Sequence, residues 1–154
     1  MILHLGVGDV PYNQAPSPRQ KKPRAGTVTT GDVAGWLENR YHVMEIFYLE
    51  NQAFVAAALE DGLQGALESL LQGASPRHDP FGSGTSKIED RFKQFLSLGE
   101  IDKLGIPGVP TQAAKDRASG KVRSPRFKNK RATGAAVSFI ASGLYQTSFK
   151  AWVD

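Results

Sequence analysis

Three histidines, fifteen carboxylates and no cysteine set the chemistry open to this chain. The missing cysteine excludes a disulfide scaffold, thiolate metal sites, iron–sulfur clusters and a thiol nucleophile. His4, His42 and His78 fall on separate segments. Only His42 has acidic neighbours at helical spacing, Glu38 four residues before it and Glu45 three after. That His-x-x-Glu order reverses the Glu-x-x-His of carboxylate-bridged di-metal sites, and no second copy occurs. His42 therefore reads as a surface or interface histidine. The neighbours Glu60–Asp61 and Glu89–Asp90 diverge around a helix, so neither pair suits shared acid–base work. Gly82-Ser83-Gly84-Thr85-Ser86-Lys87 has only the outline of a phosphate loop. No glycine precedes Lys87, and Ile88 stands where Ser or Thr would hold magnesium. Gly6-Val7-Gly8 lacks the third glycine of a dinucleotide site, and no Gly-x-Ser-x-Gly elbow occurs. The sequence predicts no enzyme, no metal and no cofactor.

What remains is charge. Residues 115–131 carry Lys115, Arg117, Lys121, Arg123, Arg126, Lys128, Lys130 and Arg131 against Asp116 alone, with Phe127 the sole aromatic. Readers of single-stranded nucleic acid interleave several aromatics for stacking, and those are missing. Two readings stay open. One is salt-dependent phosphate contact by a basic DNA-binding accessory protein; the other is a loop that docks on an acidic neighbour. The net charge of +4 is unevenly spread. Residues 1–30 hold four cations and one acid, residues 31–110 six and twelve, and residues 111–154 nine and two. An acidic middle lies between basic ends.

The elements that would position these groups follow from periodicity. The expected fold class is α+β, predominantly helical, in one domain after an arm. Residues 1–30 read as an extended, basic, proline-rich arm, led by the apolar segment Ile2-Leu3-His4-Leu5, which is either an anchor or added edge strand, or a frayed end. Thr29, Thr30 or Asp32 caps a long acidic helical region over 31–72. Its apolar face runs Val33, Leu37, Tyr41, Met44, Tyr48, Val55, Leu59, Leu63, Leu67 and Leu70. As one helix it would be about 63 Å long, against a domain diameter near 40 Å. It therefore turns or kinks near Glu50-Asn51-Gln52, or packs on other copies. Trp36, Tyr41, Phe47, Tyr48 and Phe54 are expected in a core or interface.

A glycine- and serine-rich loop over 73–86 leads to a second helical segment over 85–104, with a capping box of Ser86 and Glu89 and the apolar face Ile88, Phe92, Phe95 and Leu96. Gly105 to Pro110 is expected to be extended, followed by a short helix from Thr111 to Arg117 and a basic loop over 115–136. Residues 137–154 close the chain as a helix and strand. Ser142-Gly143 supplies the turn, and Phe149, Ala151 and Val153 alternate with polar neighbours or Trp152. The start has no basic n-region or long apolar core, and the longest apolar run, Ala53 to Leu59, is far short of the roughly 20 residues of a membrane span. A soluble chain made in a reducing cytoplasm is expected.

The terminal run Phe139, Ile140, Ser142, Gly143, Leu144 and Ser148 resembles the ending of tailed-bacteriophage neck and tail-completion proteins, a Pro-Leu-Ile-Asp-Thr-Gly-x-Leu-x-x-Ser pattern after a basic loop. Here Ser138 replaces the proline and Ala141 the acid. The resemblance implies a structural virion protein made in the host bacterial cytoplasm. It would assemble as a homo-oligomeric ring in the neck, as tail completion protein, head–tail adaptor or collar. Its partners would be portal, adaptor or tail proteins, with DNA passing through the channel and no membrane contact. The subunit or partner interface then falls on Trp36 and Tyr41; on the acids Glu60, Asp61 and Glu68; on the cations Arg123, Arg126, Lys128, Lys130 and Arg131; and on Phe139, Ile140, Gly143 and Leu144.

Overall fold

A computed structural model describes residues 2–11, 28–76, 78–118, 137–139 and 143–154. In chain order the elements are β1 (Leu3–Val7), α1 (Thr30–Tyr41), α2 (Val43–Glu50), α3 (Gln52–Leu71), α4 (Gly82–Ser97), a short 3-10 turn (Ile101–Lys103), α5 (Gln112–Ala118), α6 (Leu144–Thr147) and β2 (Phe149–Val153). The protein is mostly helical, with a small two-stranded sheet, as the periodicity predicts.

The sheet joins the two ends of the chain. β1 pairs antiparallel with β2, Leu3 opposite Val153, Leu5 opposite Ala151 and Val7 opposite Phe149. Beyond the ladder, the Ile2 amide donates to the Asp154 carbonyl and the Gly8 amide to Ser148. The apolar segment Ile2–Leu5 thus contributes to an added strand, and β2 shows the expected alternation, with Phe149 and Ala151 buried and Lys150 and Trp152 exposed. Thr30 stitches the far end of β1 to α1. Its hydroxyl donates to the Gly8 carbonyl at 2.6 Å and accepts from the Val10 amide at 2.8 Å, fully buried. Thr29 caps α1 in a reciprocal box with Asp32. Residues 12–27, most of the arm, lie outside the described residues.

The acidic helical region is three helices. One interruption falls at Asn51, where the sequence places it. A second falls at His42, which adopts a left-handed backbone (φ 51). No proline or glycine marks this corner. Glu38 holds it: its carboxylate accepts from the Met44 and Glu45 amides at 2.8 and 3.1 Å, capping α2 from a residue of α1.

The core centres on α4. Phe47 of α2 meets Phe92, Phe95 and Phe149, and the rings of Phe92 and Phe149 stack at 3.8 Å. Val43, Ile88, Leu96 and Ile101 are fully buried beside them. Of the five aromatics expected together on the long region, only Phe47 is buried; Trp36, Tyr48 and Phe54 are exposed and Tyr41 is half-buried.

Other details differ from expectation. α4 begins at Gly82, inside the predicted loop, and no Ser86–Glu89 box forms. The Ser86 hydroxyl instead donates to the Gly82 carbonyl. Contact with α3 explains why a glycine-rich stretch becomes helical: the Gly84 backbone lies directly on the Ala58 carbonyl, where a side chain would collide. Gly105 to Pro110 is not extended. Ile106-Pro107-Gly108-Val109 forms a turn in which the Val109 amide donates to Ile106, with Gly108 at φ 82 in the position that favours glycine. The Val109–Pro110 bond is cis.

Candidate interaction surfaces

The described residues of the terminal run, Phe139, Gly143, Leu144 and Ser148, are each half-buried, and Phe139 packs against the core. Gly143 takes φ 76 at the N-terminus of α6, a conformation that favours glycine. Leu144 then opens α6, half-buried, and Tyr145 is buried edge-on against Phe92. Gln146 fastens α6 to α4, donating to the Lys93 carbonyl and the Ser97 hydroxyl, both at 2.6 Å. Glu89, freed from the expected cap, accepts from the Ala151 amide and pairs with Lys150 at 3.1 Å.

Phe139, with φ 66, lies half-buried against Tyr41 at 5.2 Å between ring centroids. Beside it Ser138 is fully buried: its hydroxyl accepts from the Thr111 amide at 3.0 Å and its own amide donates to Asp102 at 3.1 Å. The Arg40 guanidinium sits 5.5 Å from the Tyr41 ring centroid. Tyr41 and Phe139 are thus brought together, whereas Trp36, one turn back on α1, is 61% exposed. Ile140 and the cations Arg123, Arg126, Lys128, Lys130 and Arg131 lie outside the described residues.

The three acids of α3 are exposed but not equivalent. Asp61 pairs with Lys87 of α4 at 3.0 Å and Glu68 accepts from Gln64 at 2.9 Å, while Glu60 is exposed. The buried face of α3 is Val55, Ala58, Gly62 and Ala66, small residues that let α4 approach. Leu63, Leu67 and Leu70, expected on the covered face, are exposed, as is Leu71.

Sequence reasoning missed the polar network at the other end of α4. Arg91 forms a two-pronged ion pair with Glu100, at 2.7 and 2.6 Å, and its Nε donates to Asn51 Oδ1 at 2.9 Å. Asn51 in turn donates to the Phe47 carbonyl at 2.8 Å. The Arg91 hydrogen bonds hold the Glu100 carboxyl below its ordinary range, against the opposing pull of burial. The one sequence signal was an arginine between the core positions Ile88 and Phe92.

Glu38, His42 and Glu45 each place a ligand-type atom within 4.8 Å of the others, and His42 Nδ1 lies 2.9 Å from Glu45. Both Glu38 oxygens already serve the α2 amides, so the cluster acts as a helix cap. His4 stacks on Trp152 at 5.3 Å and lies 3.0 Å from Asp154. A shallow cleft of about 660 Å³ runs beside that strand end, lined by His78, Asp79, Pro80, Phe81, Val153 and Asp154. Among the described residues no helix is long and apolar enough to cross a membrane.

No protein-family model, curated protein or solved structure matches the chain.

Proposed function

We propose that this chain is a non-enzymatic structural protein of a tailed-phage virion, assembling as a ring at the neck between head and tail. The observation that carries the reading is the terminal run Phe139, Ile140, Ser142, Gly143, Leu144 and Ser148, with its resemblance to the endings of neck and tail-completion proteins. The left-handed Gly143 supports it, because a glycine fixed in the motif needs a conformational reason. The opposed charge blocks support it too. A ring uses heterologous contacts, in which one surface meets a different surface of the next copy. An acidic body between basic ends offers two unlike surfaces on one chain. The partners are further copies of the chain and the portal, adaptor or tail proteins of the neck.

Mass analysis of purified virions tests the reading. The protein is expected in the particle at a fixed ring stoichiometry. Its absence from virions, together with a stable monomer in solution, overturns the assignment.

A further inference from the structure

We propose that Glu38, His42 and Glu45 bind a single divalent transition-metal ion of the zinc class at the corner between α1 and α2. This goes beyond the neck reading and does not depend on it.

The chain has no cysteine, so imidazole nitrogen and carboxylate oxygen are its strong ligands for such an ion. All three histidines lie among the described residues. His4 is stacked on Trp152 with the Asp154 carboxylate beside it, and His78 stands in the cleft with Asp79. Among the described residues, Glu38, His42 and Glu45 form the one group of three such side chains whose ligand atoms lie within 4.8 Å of one another. His42 Nδ1 and the Glu45 carboxylate are 2.9 Å apart. Atoms bound about 2.1 Å from one zinc ion stand about 3.4 Å from each other in a tetrahedron. One pair is already within that range. The His42 and Glu45 side chains, each 60% exposed, are free to rotate and close the remainder.

The helix cap does not exhaust Glu38. An ionised carboxylate offers about four lone-pair sites, and the Met44 and Glu45 amides occupy two. Those two bonds fix the carboxylate in place, as the outer hydrogen bonds of metal sites do. The backbone of His42 is fixed too: its amide donates to the Glu38 carbonyl at 3.0 Å, and its carbonyl accepts from Ile46 at 2.8 Å. Glu45 follows in the first turn of α2. Much of the ordering is therefore complete before an ion arrives, which favours binding.

Charge favours a cation as well. Glu38 and Glu45 supply two negative charges, and among the described residues neither pairs with a lysine or arginine. Arg40 lies instead over the Tyr41 ring. The N-terminus of α2 sets only about half a positive charge against the two acids. The His-x-x-Glu order excludes a carboxylate-bridged pair of metals but not a single ion, which needs three protein ligands and leaves a fourth position to water. One nitrogen with two oxygens suits zinc better than magnesium or calcium, which take oxygen ligands.

Calorimetric titration of zinc sulfate into the full chain, stripped of metal and dialysed, tests the site. One ion is expected to bind per chain, and saturating zinc is expected to raise the thermal midpoint. His42→Asn removes the imidazole and keeps a residue that tolerates the left-handed backbone. Glu45→Gln removes one exposed carboxylate and leaves the Glu38 cap intact. Each is expected to weaken zinc binding at least about tenfold and to abolish the rise in midpoint. The metal-free midpoint of Glu45→Gln is expected to match wild type, which guards against misfolding. His4→Asn and His78→Asn are expected to bind zinc as wild type does, and magnesium at the same concentration is expected not to displace it. Absence of saturable binding, binding unchanged in either His42→Asn or Glu45→Gln, or binding lost in His4→Asn or His78→Asn overturns the proposal.

Discussion

Arg91 and Glu100 meet through both prongs of the guanidinium, at 2.7 and 2.6 Å, and the remaining nitrogen of Arg91 bonds the Asn51 side chain at 2.9 Å. One arginine thereby ties α4 to the α2–α3 corner and to the turn that follows α4. Asn51, only 7% exposed, closes the chain of bonds onto the Phe47 carbonyl. The network sits at the edge of the aromatic core, where an unpaired member costs more than a surface pair yields.

Removing one partner therefore costs more than removing a surface ion pair. Arg91→Met keeps the apolar stem but leaves Glu100 and the Asn51 oxygen without their donors. We expect a loss of about 1–3 kcal/mol in urea unfolding. Arg91→Lys recovers only part of it, since an ammonium cannot span both carboxylate oxygens and Asn51 together. Lys87→Met, at the exposed Asp61 pair, is expected to change stability by less than about 1 kcal/mol.

Glu100 gives the network an acid limit. Its folded pKa is lowered, chiefly by the Arg91 hydrogen bonds, so its contribution is complete above the unfolded value and is lost as pH falls through the folded one. Arg91, whose pKa is raised, stays charged throughout that range. The stability gap between wild type and Glu100→Gln should be constant from about pH 6 to 8 and close below about pH 4. Thermal melts of both proteins across that range provide the check; a gap that widens in acid contradicts the assignment.

The α3–α4 crossing makes opposite predictions for two glycines. A Cβ on Gly84 meets the Ala58 carbonyl and the Leu59 backbone, which cannot move without parting the helices. Gly84→Ala is expected to cost about 1–3 kcal/mol. Gly65, in the interior of α3, has nothing within 4 Å of its added Cβ, and Gly65→Ala should stabilise by about 0.5–1 kcal/mol through helix propensity. Denaturant midpoints of the two variants should move in opposite directions.

The same helices show how far the sequence could be read. The β2 strand is legible because Phe149 and Ala151 alternate with Lys150 and Trp152, and the glycine turn before α6 because Ser142-Gly143 separates two apolar runs. The apolar arc of α3 spans both the small residues Ala58, Gly62 and Ala66 and the larger Leu63, Leu67 and Leu70. Periodicity fixes the arc but not which half is covered. Shape decides that: only the small side admits the backbone of Gly84. The corner at His42 is illegible because its cause, the Glu38 carboxylate on the α2 amides, lies a turn away and uses a residue otherwise typical of a solvated helix face. Arg91 and Asn51 are forty positions apart, and nothing local announces their bond. Of the expected interface residues, Tyr41, Phe139 and Leu144 are partly buried within the fold, whereas Trp36 and Glu60 are exposed.

Thr30 tests how the N-terminal strand is held. Its hydroxyl is buried, donates to the Gly8 carbonyl and accepts from the Val10 amide, while its backbone amide donates to the Val10 carbonyl at 2.9 Å. Thr30→Val preserves shape and strips both hydroxyl bonds, leaving two backbone groups short of a partner. The expected loss is about 1–3 kcal/mol. Thr30→Ser retains the hydroxyl and loses one methyl, so its cost should be about 1 kcal/mol or less. Hydrogen exchange separates this local tether from a general core effect. In Thr30→Val the Val10 amide should exchange faster relative to the amides of α4, whereas in Thr30→Ser the two sets should keep their wild-type ratio. Equal acceleration of α4 and Val10 in Thr30→Val would show that Thr30 acts on the core as a whole and not on the join between β1 and α1.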